Sequence, residues 1–111
     1  MLEFEEALAR VLASEPEVIL LDEPFSALDT YLRSQMEQEM IERLRGFDGV
    51  SLFVTHNLEE AVYLAERILV MTQKPTRIKE EVKVDLPRPR NYADPKFVEI
   101  RRYVTDLVKW W

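Results

Sequence analysis

The sequence predicts an α/β domain with a largely parallel sheet flanked by helices, and three observations carry that expectation. Helix-like and strand-like segments alternate as helix, strand, helix, strand, helix, strand over residues 3–71. That order suits parallel strands joined by right-handed helical crossovers. Val18-Ile19-Leu20-Leu21 is a continuous apolar run bounded by Pro16 and Pro24, as expected of a strand buried on both faces. Leu28, Leu32, Met36, Met40 and Leu44 recur every fourth residue, which marks one face of a long helix.

The elements follow in order. Residues 3–14 read as a helix, with Leu8, Val11 and Leu12 at i, i+3 and i+4 and Ala7, Ala9 and Ala13 as good helix formers. Pro16 stands just past its stop. After the Val18–Leu21 strand, the long helix runs to the Gly46–Gly49 stretch, which ends it. Val50 to Val54 is a second buried strand. Asn57 is the N-cap of a short helix and Glu60 its partner in a capping box. Leu58, Ala61, Val62 and Ala65 form that helix's buried stripe. Ile68 to Met71 is a third strand.

From about residue 73 the pattern changes. Lys74-Pro75-Thr76-Arg77 signals a turn, and Ile78, Val82 and Val84 predict a further, antiparallel strand. Leu86-Pro87-Arg88-Pro89-Arg90 is held extended by its prolines, and taken alone it fits a stiff connector with solvated arginines. Asp94-Pro95 opens a last helix with an N-cap and a first-turn proline, and Phe97, Ile100, Val104, Leu107 and Trp111 form its apolar face. Residues 1–111 thus read as one domain, with an α/β part over about 1–72 and an extension over about 73–111.

Composition narrows the function classes. A chain of 111 residues, 47% hydrophobic and 32% charged, supplies one modest core. The net charge of -6 argues against a general nucleic-acid footprint, which needs surplus Lys and Arg. The absence of cysteine excludes disulfides and thiolate metal sites. No apolar run approaches the roughly 18 residues that span a bilayer. The acidic start, Met1-Leu2-Glu3-Phe4-Glu5-Glu6, is not a secretory leader. Membrane association is therefore expected only through a protein partner.

The chemistry gathers at strand ends. Asp22 and Glu23 are adjacent carboxylates at the C-terminal mouth of a strand, where open α/β sheets bind ligands. Successive strand residues point in different directions, so one acid can face a Mg²⁺ ion while the other orients a water. The pair alone better fits two solvated acids capping a turn, since acids after strands are common. Ser26 and Asp29 alone fit turn and helix-cap roles. His56, the single histidine, alone fits a structural role.

Together, Leu21-Asp22-Glu23-Pro24, Ser26-Ala27-Leu28-Asp29 and Thr55-His56 resemble the ATP-binding subunits of ABC transporters. The nine residues from Leu21 to Asp29 look like the Walker B strand running into the D-loop. Leu52 to Ala61 looks like the switch-histidine loop, with Asn57 where the family usually has Asp. Asp85 to Arg90 is similar to the tail of importers of nitrate, aliphatic sulfonates and taurine. The resemblance covers nearly the whole chain from about Ala7 and implies the C-terminal part of a P-loop NTPase fold. It implies that Asp22 holds the Mg²⁺ of Mg-ATP, that Glu23 and His56 are catalytic, and that Ser26 and Asp29 face a dimer partner. It further implies a membrane permease subunit as partner, a place on the cytoplasmic face of the membrane, and no direct insertion.

The phosphate loop Gly-x-x-x-x-Gly-Lys-Ser/Thr, the Q-loop glutamine and the Leu-Ser-Gly-Gly signature do not occur in these residues. Met1 to Glu6 stand where the family usually has Gln and Arg near the signature tail. Without a cradle for the β- and γ-phosphates, the chain alone is expected to bind no Mg-ATP and to show no turnover. The family's Walker A strand lies between the His56 strand and the Ile68–Met71 strand. Those two strands are therefore expected to pair directly or to leave an exposed edge, so that the sheet is rearranged or the chain forms a homo-oligomer, such as a homodimer with exchanged elements. Two other readings stand beside a transporter fragment. One is a non-catalytic dimerisation or interaction module of the same ancestry, and the other is a P-loop ATPase of recombination or chromosome maintenance. Pro24-Phe25-Ser26 and Glu60-Ala61 favour the transporter family over the latter.

Overall fold

In the computed structural model, which describes residues 2–73 and 75–109, the expected alternation holds. The order is α1 (Leu2–Ala13), β1 (Val18–Asp22), α2 (Thr30–Leu44), β2 (Val50–Val54), α3 (Leu58–Leu64), β3 (Arg67–Met71), β4 (Ile78–Lys83) and α4 (Pro95–Lys109). The elements fall into two units, residues 1–55 and 56–111.

In the first unit, β1 and β2 form a parallel pair in the register Val18↔Val50 to Asp22↔Val54. Its core is Leu8 of α1, Ile19 of β1, Phe25 of the following loop, and Met36 and Met40 of α2. The chain leaves α1 through Glu15, whose φ of 53° is left-handed, and Pro16 blocks any continuation. Asp29 caps α2, its side chain accepting from the Leu32 N–H at 2.9 Å. Leu28, the first residue of the period-four stripe, therefore belongs to the loop before the helix. Gly46, at φ +83°, turns the chain beyond α2. At Gly49 a Cβ would stand 2.4 Å from the Glu17 carbonyl oxygen, so only glycine lets β2 start against β1. Asp29→Ala should cost about 1 kcal/mol, the usual worth of an N-cap. An unchanged urea midpoint would show that the cap contributes nothing.

In the second unit, β3 and β4 pair antiparallel, with a register shift between Val70 and Met71. Val70, Val82 and Val104 form the buried centre, and Leu58, Ile68, Ile100 and Leu107 pack around it. Val82 and Val84 are buried as the sequence predicts, and Leu86 continues that period-two face, whereas Ile78, read with them in the sequence, is 58% exposed. α4 opens at Asp94, whose side chain accepts from the Lys96 N–H at 2.9 Å. Its apolar face carries buried Phe97 and Val104. Trp111, assigned to that face, and Lys74, assigned to the turn before β4, lie outside the described residues.

One expectation is corrected and two alternatives are decided. First, β1 and β2 are buried on one face only. Val18, Leu20, Val50, Leu52 and Val54 are 46–66% exposed, whereas Ile19 is 4% exposed. The apolar runs have the composition of two-sided strands, yet in this unit only one face is covered. Second, the parallel portion is a single pair, and β2 and β3 sit in different sheets. Of the two alternatives for β2, the structure therefore has the open edge. Third, Arg88 is exposed and Arg90 half-buried, yet both are engaged by the backbone. They bond the carbonyls at the end of α3, which gives the proline-bearing segment a packing role. In addition, the buried residues of α3 are Glu60, Val62, Tyr63 and Leu64, while Leu58, Ala61 and Ala65 of its predicted stripe are half-buried.

Candidate functional site

The parallel pairing brings the end of β1 beside the end of β2. Asp22 is level with Val54, and the Glu23 N–H donates to the Val54 carbonyl at 2.8 Å, one step beyond the ladder. Thr55 follows and closes the first unit, and His56 opens the second. Asp22 is exposed and Glu23 half-buried. Mg²⁺ in phosphate sites keeps several waters and takes only one or two protein carboxylates. An exposed carboxylate at a strand mouth, as Asp22 presents, fits that kind of coordination.

Glu23 has φ 45°, a left-handed conformation that is uncommon for a residue with a Cβ and costs about 1–2 kcal/mol. This turn throws the chain out of the strand. The Glu23 carbonyl then accepts from the Ser26 N–H at 3.3 Å, and the Phe25 carbonyl from the Leu28 N–H at 3.1 Å. Strain of this kind gathers at functional sites when the surroundings over-determine it. Here the surroundings are the ladder bond to Val54 and the burial of Phe25, which is 1% exposed.

Ser26 is exposed on that loop, and Asp29 ends it as the α2 cap. Arg33 on the first turns of α2 reaches back, donating from Nε to the Phe25 carbonyl and from a terminal nitrogen to the Leu28 carbonyl, both at 3.4 Å. Sequence reasoning missed Arg33. Its only signal is a cation one helical turn past the Asp29 cap.

His56 is exposed and directly precedes Asn57, the cap of α3. The Asn57 side chain accepts from the Glu60 N–H at 3.0 Å, as the capping-box reading requires. Asn57 thus does what an aspartate would do at this position. At the far end of α3 stand Arg88 and Arg90, also missed. Burial lowers the Arg90 guanidinium to about 10, Arg88 adds to the lowering, and Glu66 opposes it. Arg90 remains cationic at neutral pH.

An apolar groove of about 400 Å³ lies between α1 and β1, with Phe4, Leu8 and Val11 on one wall and Leu20, Leu21 and Asp22 on the other. No helix among the described residues is long and apolar enough to cross a membrane.

No family model matches the chain. Individual curated proteins do. An uncharacterised ABC transporter ATP-binding protein of Methanocaldococcus jannaschii is 44% identical over 103 residues, covering 93% of this chain and 39% of its own length. The aliphatic sulfonates import ATP-binding protein SsuB of Bacillus licheniformis is 45% identical over 98 residues, covering 88% of this chain and 38% of its own. SsuB of Bacillus cereus is 41% identical over 98 residues, again 88% of this chain and 39% of its own. The chain therefore spans about two fifths of the length of the relatives it matches.

Proposed function

This chain belongs, as a stretch of about two fifths of their length, to the ATP-binding proteins of ABC transporters, and from that premise we propose that it supplies the water-activating half of an ATPase site. In that reading Asp22 holds Mg²⁺, directly or through water, and Glu23 orients the attacking water and takes its proton. His56 contacts the γ-phosphate, where a neutral imidazole offers one donor and one acceptor. Ser26 and Asp29 face a second ATP-binding domain. Mg-ATP supplies the driving energy when bound, and a membrane permease on the cytoplasmic face receives it. The transported solute falls in the aliphatic sulfonate, nitrate and taurine group. The observation that carries the reading is the parallel register that sets Asp22 and Glu23 beside the strand leading into Thr55-His56.

These 111 residues contain no phosphate loop, so the reading assigns them no turnover on their own. Phosphate release should be measured on the chain alone and on the same residues joined to the other three fifths of a relative's domain. The expected result is turnover only in the joined form. Mg-ATP turnover by the chain alone that disappears in Glu23→Gln would overturn the assignment of inactivity. A second reading, an interaction module without catalysis, draws on one observation: the exposed apolar face of Val18, Leu20, Val50, Leu52 and Val54. Absence of turnover in the joined form, with tight self-association of the chain, would favour it.

A further inference from the structure

We propose that Arg88 and Arg90 are positioning residues for His56, acting through α3. The inference rests on the ATPase reading above for the role of His56, while its geometry stands within one unit of the fold.

α3 has only seven residues. A helix so short is unstable by itself, and its final carbonyls lack internal partners. Two arginines more than 20 residues downstream supply those partners. Arg88 donates to the Leu64 carbonyl at 2.6 Å and to the Tyr63 carbonyl at 3.4 Å. Arg90 donates to the carbonyls of Val62 at 2.7 Å, Ala65 at 2.5 Å and Tyr63 at 3.4 Å. Every carbonyl from Val62 to Ala65 is thereby bonded. Two cations at a helix C-terminus also oppose its negative dipole end. The Arg90 Nε–H donates to the Leu86 carbonyl at 3.3 Å, which folds the arginine onto its own segment. Tyr92 then stacks on Tyr63, with ring centroids 4.8 Å apart. The 86–92 segment therefore grips α3 through three side chains.

The clamp is close to the histidine in hydrogen-bond steps. The Ala65 N–H bonds the Ala61 carbonyl at 3.0 Å, and the Ala61 N–H bonds the Asn57 carbonyl at 3.1 Å. Asn57 is the residue after His56. Two bonds in one helical column thus link the clamped end to the histidine loop. Fraying at Ala65 removes one of only two such bonds and frees the turn that carries the loop. Other restraints on α3 include its packing against α4, with Val62 fully buried, and an ion pair of Glu59 with Arg101 at 3.6 Å. They hold the helix body, while the arginines hold its end.

The chain has one histidine, so its imidazole resonances are unambiguous in a proton–nitrogen spectrum. Arg90→Ala, Arg90→Lys and Arg88→Ala are to be compared with Leu107→Ala, which weakens the α4 packing and leaves the clamp intact. Amide exchange at Ala61 and Ala65 reports the column. In Arg90→Ala, exchange at both amides should rise about tenfold or more, as expected for a local opening. The His56 resonances should shift or broaden with it. Arg90→Lys should restore them only in part, because an ammonium cannot reach four acceptors as a planar fork does. Leu107→Ala should lower stability without moving His56. If Arg90→Ala fails to fold, Arg90→Lys and Arg88→Ala carry the comparison. Unchanged His56 resonances despite faster exchange at Ala61 and Ala65 would overturn the proposal, as would equal shifts in Leu107→Ala. No nucleotide enters this test. Failure of the ATPase reading would appear instead as absent turnover in the joined domain with the resonance result intact.

Discussion

Phe25→Ala should destabilise the first unit by about 3–5 kcal/mol, the usual cost of removing a buried aromatic ring. Phe25 is 1% exposed and sits in the loop between Glu23 and Asp29 rather than in a helix or strand. Its ring meets Phe4 edge-on at 5.0 Å and Phe53 at 5.9 Å. It therefore ties α1, β2 and the loop together at one point. A unit of residues 1–55 has little core to spare, and whole domains hold only about 5–15 kcal/mol. The loss should leave β1 and β2 largely unpaired at room temperature. Far-UV dichroism during urea unfolding measures the change, and a shift worth under about 1 kcal/mol would mean that the cavity collapses without cost. Phe25→Leu should recover more than half of the loss, because a leucine refills most of the volume.

The same residue shows why part of this protein can be read from its sequence. Helix and strand periods depend on local spacing, so the period-four leucines and methionines of α2 and the alternation of Val82 and Val84 at the end of β4 announce themselves. Caps are local too, and Asp29 and Asn57 both perform the roles that their positions predict. The neighbourhood of Asp22 and Glu23 was legible because the strand leading to Thr55 pairs in parallel with theirs. Long-range cation–carbonyl bonds leave no such trace. Nothing near Arg90 in the chain points to the Val62 carbonyl 28 residues away. The left-handed φ of Glu23 is equally silent, since glutamate has no preference for that region. One-sided burial of β1 and β2 could not be foreseen either. The composition of Val18-Ile19-Leu20-Leu21 encodes cover on both faces, and sequence does not say which residues provide it.

Glu23 is where strain and proposed chemistry coincide, and its variants should separate the two. In the joined ATP-binding domain, Glu23→Gln should lower kcat by roughly 10²–10⁴-fold, the range for losing a general base. The KM for Mg-ATP should hardly change, because the interaction lost is one made in the transition state. Glutamine keeps the shape and the backbone demand of φ 45°, so the melting temperature should stay near that of the wild type. Glu23→Gly should abolish turnover to the same degree and have the opposite effect on stability. Glycine enters the left-handed region freely, which relieves about 1–2 kcal/mol of steric cost. Its greater freedom in the unfolded chain gives back about 0.4–1 kcal/mol. The net is a gain of up to about 1.6 kcal/mol, or several degrees of melting temperature in a domain this small. Glu23→Ala retains a Cβ and should gain nothing. If Glu23→Gly melts below Glu23→Ala, the turn is not strained and its geometry serves packing alone. If Glu23→Gly is more stable than Glu23→Ala and the wild type, and less active than the wild type, the strained turn is held at a steric cost that the carboxylate's position explains.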